Sequence, residues 1–163
     1  MEITNEYIGT LLDKYGNMIL RVAYTYVKSR DDAEDVLQDV FYQIVDKRPI
    51  YENEEHEKAW ILRATINLCK NRLKSFWNRN KCSIDDFRDI AHYDEYKEEN
   101  TVLKAVMNLP DKYRIVVYMF YYEGYGTAQI AEITGQTDTA VRSLLHRARK
   151  KLKTVLKEVY DFE

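Results

Sequence analysis

The sequence predicts an all-α protein of two small helical domains joined by a flexible linker. Three observations carry that prediction. Only five Gly and two Pro punctuate 163 residues, too few turn formers for a strand-rich chain. Apolar residues recur at spacings of three and four instead of alternating. A polar stretch of weak periodicity separates two periodic halves, which gives domains over 1–79 and 100–163 and a linker over 80–99.

The elements follow in order. Met18, Ile19, Val22, Ala23, Tyr26 and Val27 form one apolar stripe at helical period. Val36, Leu37, Val40, Phe41, Ile44 and Val45 form a second. The two predict an antiparallel helix pair joined through Lys28–Asp31. Asp31 or Asp32 is expected to cap the second helix, and Lys47-Arg48 before Pro49 to end it. After a loop from Pro49 to about Glu55, a long helix is predicted from His56 to Trp77. The linker suggests one short helical turn, around Ile84–Ala91. Beyond it, Val102, Leu103, Val106 and Leu109 predict a short helix ended by Pro110. Asp111 starts another, with Ile115, Val116, Met119 and Phe120 on its apolar side.

Thr127 to Leu144 fits the spacing of a helix-turn-helix in the second domain. Ala131 is small where two helices must cross closely. Gly135 stands where the chain must leave the first helix in a left-handed conformation, which Gly adopts at least cost. Val141 and Leu144 are expected to pack the second helix back on the first, and Thr137 or Asp138 to cap it. On that helix Val141, Leu144, Leu145, Ala148 and Leu152 share one side. Thr139, Arg142, His146, Arg149, Lys150 and Lys153 lie opposite, flanked by Ser143 and Arg147. Such a helix rests its apolar side on the domain and offers its basic side to a DNA major groove.

Charge is segregated behind a net value of −2. Lys58 to Ile84 and Val141 to Lys157 carry cations and no acid. Acids collect in Asp31–Asp39, Glu52–Glu57 and Asp85–Glu99. Two basic blocks, each at the end of a helical unit, point to two contacts with a polyanion. On the long first-half helix, Trp60, Arg63, Asn67, Lys70, Asn71 and Lys74 share one side. Cations hold phosphates, amides read base edges and an aromatic ring stacks on an exposed base. A solvated face with Trp60 packed in the core is the competing reading. Asp35, Gln38, Asp39 and Tyr42 point away from the stripe of the preceding helix, which suits a basic protein partner or plain solvent.

Other classes find little support. Cys69 and Cys82 make no disulfide framework, and with His56 and His92 they form no zinc spacing, so no metal or other cofactor is expected. The N-terminus lacks the order of a signal peptide and no apolar run approaches the ~20 residues of a membrane span, so a cytoplasmic protein is expected. Paired carboxylates, a Gly-rich phosphate loop and a nucleophile–base pattern are missing, so neither an enzyme nor a small-molecule substrate is expected.

Four collinear runs resemble one family, the bacterial RNA polymerase sigma factors of extracytoplasmic-function (ECF) type within the sigma-70 family. Asp31–Phe41 (DDAEDVLQDVF) resembles its segment for the β′ clamp helices of core polymerase. Ala59–Ser75 is similar to its −10 recognition helix, Leu109–Tyr125 to the opening of its −35 domain, and Gln129–Leu152 to its helix-turn-helix. The resemblance implies a subunit that directs promoter-specific initiation and aids melting. By it, Asp35, Gln38 and Asp39 hold the polymerase clamp, and Arg63, Asn67, Lys70 and Asn71 sit at the −10 element. The loop Arg48–Glu57 receives an unstacked base. Arg142, Ser143, His146 and Arg147 meet the −35 major groove, and the apolar side of the second domain takes the β-flap. The implied partners are core polymerase, promoter DNA and an anti-sigma factor. Thr139-Ala140 replaces a usual Gly-Thr, Leu144 a usual Arg, and Gln129 a usual acid, so the −35 contacts depart from the family pattern. Two other readings remain at this stage: a stand-alone helix-turn-helix regulator and a helical protein-interaction module.

Overall fold

A computed structural model describes residues 3–80 and 101–160, and every regular element among them is helical. The chain forms two compact units, Met1–Asp94 and Glu95–Glu163. The expected linker and its short turn lie outside the described residues.

The first unit packs α1 (Asn5–Val27), α2 (Arg30–Lys47) and α3 (Glu54–Asn80) around one core. The stripe on α1 buries completely, with Ile19, Val22 and Ala23 sealed from solvent. On α2 the buried residues are Ala33, Val36, Val40 and Ile44; Leu37 and Phe41 are half-buried, and Val45 is 45% exposed. The expected stripe is therefore wider than the buried one, because α2 touches neighbours along a single seam. Ile61, Leu62, Ile66 and Cys69 complete the core from α3. Buried Thr65 satisfies its hydroxyl by donating to the Ile61 carbonyl at 2.7 Å.

Caps set the boundaries, and two differ from expectation. Ser29, not Asp31 or Asp32, caps α2: its extended backbone lets Oγ accept from the Asp32 N–H at 3.3 Å. The two aspartates fall in the first turn, where the helix dipole favours them. α3 starts two residues before His56, because Asn53 Oδ1 accepts the His56 N–H at 2.8 Å. Lys28 and Arg48 end α1 and α2 in left-handed geometry, at φ 53° and 48°. Lys28 and Ser29 alone link α1 to α2. Arg72, near the end of α3, reaches the start of α2, so these two helices run in opposite senses.

The second unit contains α4 (Thr101–Met107) and α5 (Asp111–Val117), which continues into a π-helical turn, Tyr118–Tyr122. The helix-turn-helix follows as α6 (Thr127–Thr134) and α7 (Asp138–Tyr160). Ile115, Val116 and Met119 are buried as expected, Phe120 is half-buried, and Val102 is exposed. Arg114, only 3% exposed, donates from Nη1 to the carbonyls of Leu109 at 2.6 Å and Met107 at 3.3 Å. A charged side chain thus takes up carbonyls that the end of α4 leaves open, which is how its burial is tolerated.

Candidate nucleic-acid and partner interfaces

The turn between α6 and α7 is built from few atoms. Gly135 ends α6 at φ 71°, and the Gln136 N–H donates back to the Ala131 carbonyl at 2.8 Å. Thr137 caps α7 by accepting the Ala140 N–H at 3.1 Å. At the start of α6, Gln129 Oε1 accepts the Gly126 N–H at 3.0 Å. The amide thus does the capping work of an acid, so the Gln129 departure leaves the start of α6 capped. Ala131, Val141, Leu145 and Ala148 close the contact between the helices. Leu144 is only half-buried, while Leu145, on the opposite flank of the line from Val141 to Ala148, is buried and carries the packing expected of Leu144.

Arg142, Ser143, His146 and Arg147 are all exposed on α7. Arg142 pairs with Asp138 one turn earlier on the same helix. Arg149 donates from Nε to the Tyr121 hydroxyl at 2.6 Å. The polar side of α7 is therefore a solvent-facing basic surface on a rigidly seated helix.

In the first unit, Arg63, Asn67, Lys70 and Asn71 are exposed on α3. Trp60 is half-buried, its ring edge-on to Tyr51 at 6.0 Å, so it belongs wholly to neither the core nor the surface. The loop before α3 is held from several sides. Tyr51 also meets His56 edge-on at 6.0 Å, and His56 Nδ1 accepts the Glu52 N–H at 3.0 Å. From α1, Lys14 pairs with Glu54 and approaches Glu57 at 3.6 Å, while the Tyr15 hydroxyl donates to Glu57 at 2.8 Å. The Lys14 hydrogen bond holds the Glu54 carboxyl below its usual value. Burial, then the Glu57 contact, pushes the Tyr15 phenol up to about 12. Between these groups opens a depression of about 480 Å³ lined by Lys14, Ile50, Tyr51, Asn53, Glu54 and Glu57. The Tyr51 hydroxyl is buried and has no hydrogen-bond partner among the described residues.

Asp35, Gln38 and Asp39 are exposed on α2 at spacings of three and four. Arg72 of α3 donates from Nη2 to Asp32 at 2.7 Å and to Asp35 at 3.1 Å. Sequence reasoning missed Lys14, Arg72 and Arg114. Each acts on partners chosen by the fold, and only the capping pattern at Asn53, followed by Glu54, Glu55 and Glu57, was open to local inspection.

Residues 11–79 match the family model described as Sigma-70 region 2, and residues 99–152 match that of Sigma-70, region 4. The chain belongs to the sigma-70 family. The RNA polymerase sigma factor SigV of Bacillus subtilis is 24% identical over 159 residues, covering 95% of this chain and 94% of that protein. The ECF RNA polymerase sigma factor SigM of Mycobacterium tuberculosis is 25% identical over 147 residues, covering 90% of this chain and 75% of that one. Among solved structures, the fold is similar to the sigma factor RpoE of Bartonella quintana, crystallised with the anti-sigma factor NepR. Its TM-score is 0.73 at 20% identity, covering 94% of this chain and 98% of that one. This sigma factor is of the ECF type, a promoter-recognising subunit of RNA polymerase. Among its described residues no helix is long and apolar enough to cross a membrane.

Proposed function

We propose that residues 1–79 and 100–163 act as separate recognition domains of one initiation cycle, non-enzymatic and cytoplasmic. Asp35, Gln38 and Asp39 meet the basic clamp helices of β′ in core polymerase, and the apolar side of the second domain takes the β-flap. Arg142, Ser143, His146 and Arg147 enter the −35 major groove, where each good bidentate base contact is worth about 1–3 kcal/mol. Arg63, Asn67, Lys70 and Asn71 line the −10 element. The depression beside Tyr51 receives an unstacked base, where ring stacking offsets an extrusion cost of a few kcal/mol. An anti-sigma factor of the kind bound to the Bartonella protein is a further partner in this reading.

One observation supports the reading most: the exposure of four polar or basic side chains on a helix whose opposite side is sealed by Val141, Leu145 and Ala148. Run-off transcription with core polymerase tests it. Promoter-dependent transcripts are expected only when this protein is added; none from any template carrying a promoter mapped after overexpression would refute it. Gel shift without polymerase separates a stand-alone regulator, which binds a site unaided.

A further inference from the structure

Arg149 lies on the outer side of α7, three residues beyond His146 and outside the four residues assigned to base reading. Its side chain is exposed, yet held from behind. Its Nε donates to the Tyr121 hydroxyl at 2.6 Å. Its guanidinium carbon stands 5.5 Å from the ring centre of Phe120 and 5.6 Å from that of Tyr121. The two rings meet edge-on at 5.0 Å, forming a corner into which the cation fits. That corner depends on the π-helical turn Tyr118–Tyr122, whose extra residue per turn swings Tyr121 outward to 59% exposure.

The hydrogen bond uses Nε only. Both terminal amino groups have no partner among the described residues. They form the fork that matches two oxygens of a phosphodiester. A guanidinium already fixed in place loses less rotamer freedom when it binds. We propose that Arg149 is a phosphate contact on the −35 duplex and that Tyr121 is the residue positioning it. This rests on the functional reading above, since it needs α7 in a groove.

A phosphate contact carries no sequence information but carries salt dependence. The test is holoenzyme binding to a 40-base-pair duplex holding a promoter mapped after overexpression, measured by fluorescence anisotropy across a salt series. Arg149→Ala should lower the slope of log K against log salt by about 0.9 and weaken every −35 variant by the same factor. Arg149→Lys, which keeps the charge and loses the fork, should keep the slope. Tyr121→Phe should bind about two- to fivefold more weakly with base preference unchanged. An Arg149→Ala slope equal to wild type, with a lowered unfolding midpoint, means that Arg149 only fastens the π turn to α7 and overturns the proposal. Altered base preference also overturns it, by making Arg149 a base reader. Wild-type holoenzyme that ignores the promoter refutes the functional reading itself, and the inference falls with it.

Discussion

Two helices present basic faces, α3 and α7; both rest on buried apolar residues, and they differ in what is added to that core. α3 is fastened near both ends by charged groups from distant parts of the chain. Lys14 and Tyr15 grip its first turn, and Arg72 ties its last third to Asp32 and Asp35. α7 is seated by small apolar contacts and by the local turn at Gly135 and Thr137. The difference suits the tasks proposed for them. A helix that reads duplex DNA needs one rigid approach angle, which close packing supplies. A helix beside melted strands also needs its preceding loop shaped, and α1 shapes it through Glu54 and Glu57.

The sharpest test of that contrast is core removal in the first unit. Ile66→Ala should cost about 2–5 kcal/mol of stability in chemical denaturation. The Arg149–Tyr121 corner, in the other unit, should keep its reactivity toward tyrosine probes at denaturant levels where the first unit has opened. Next comes Arg142→Ala, expected to lose about 1–3 kcal/mol of promoter binding, roughly a five- to 150-fold effect in −35-dependent transcription, with core association in a pull-down unchanged. Lost core association would move Arg142 out of DNA reading. Gly135→Ala forces a side chain into the left-handed region and should destabilise the second unit by about 1–2 kcal/mol, although a Cβ there meets no neighbour. A neutral result would mean that the turn relaxes and that α7 is less fixed than argued. Smallest is Arg72→Ala, at most about 1 kcal/mol, because about a third of its side chain, a third of Asp32 and over half of Asp35 face water. A larger loss would show that charge, not the core, holds α3.

The same contrast explains what the sequence revealed. The helix-turn-helix was legible because its determinants are local: Ala131, Gly135, Val141 and the Thr137 cap lie within eleven residues, and each obeys a steric rule. Helix periodicity located α1, α2, α5 and α7 for the same reason. The first unit's interfaces were not legible from physics alone. Lys14 finds Glu54 forty residues away and Arg72 finds Asp32 at the same separation. No spacing rule predicts such pairs, and the face of Asp35, Gln38 and Asp39 read from physics only as suited to a basic partner or solvent; the clamp role proposed for it came through resemblance. Overreach occurred where a pattern was right and the neighbour missing, as with Val45 and Leu144. Arg114 was invisible because a buried arginine at a helix end reads, in sequence, like any surface cation.

Cys69 sits sealed in the core between the helices of the first unit, and burial pushes its thiol up to about 12. Almost no thiolate exists there at neutral pH, so alkylating reagents must wait for the unit to open. With Cys82 replaced by serine, the rate of Cys69 labelling becomes a clock for opening of the first unit alone. Run on the free protein and again on the holoenzyme, that clock would report how far polymerase itself slows the opening of its own specificity subunit.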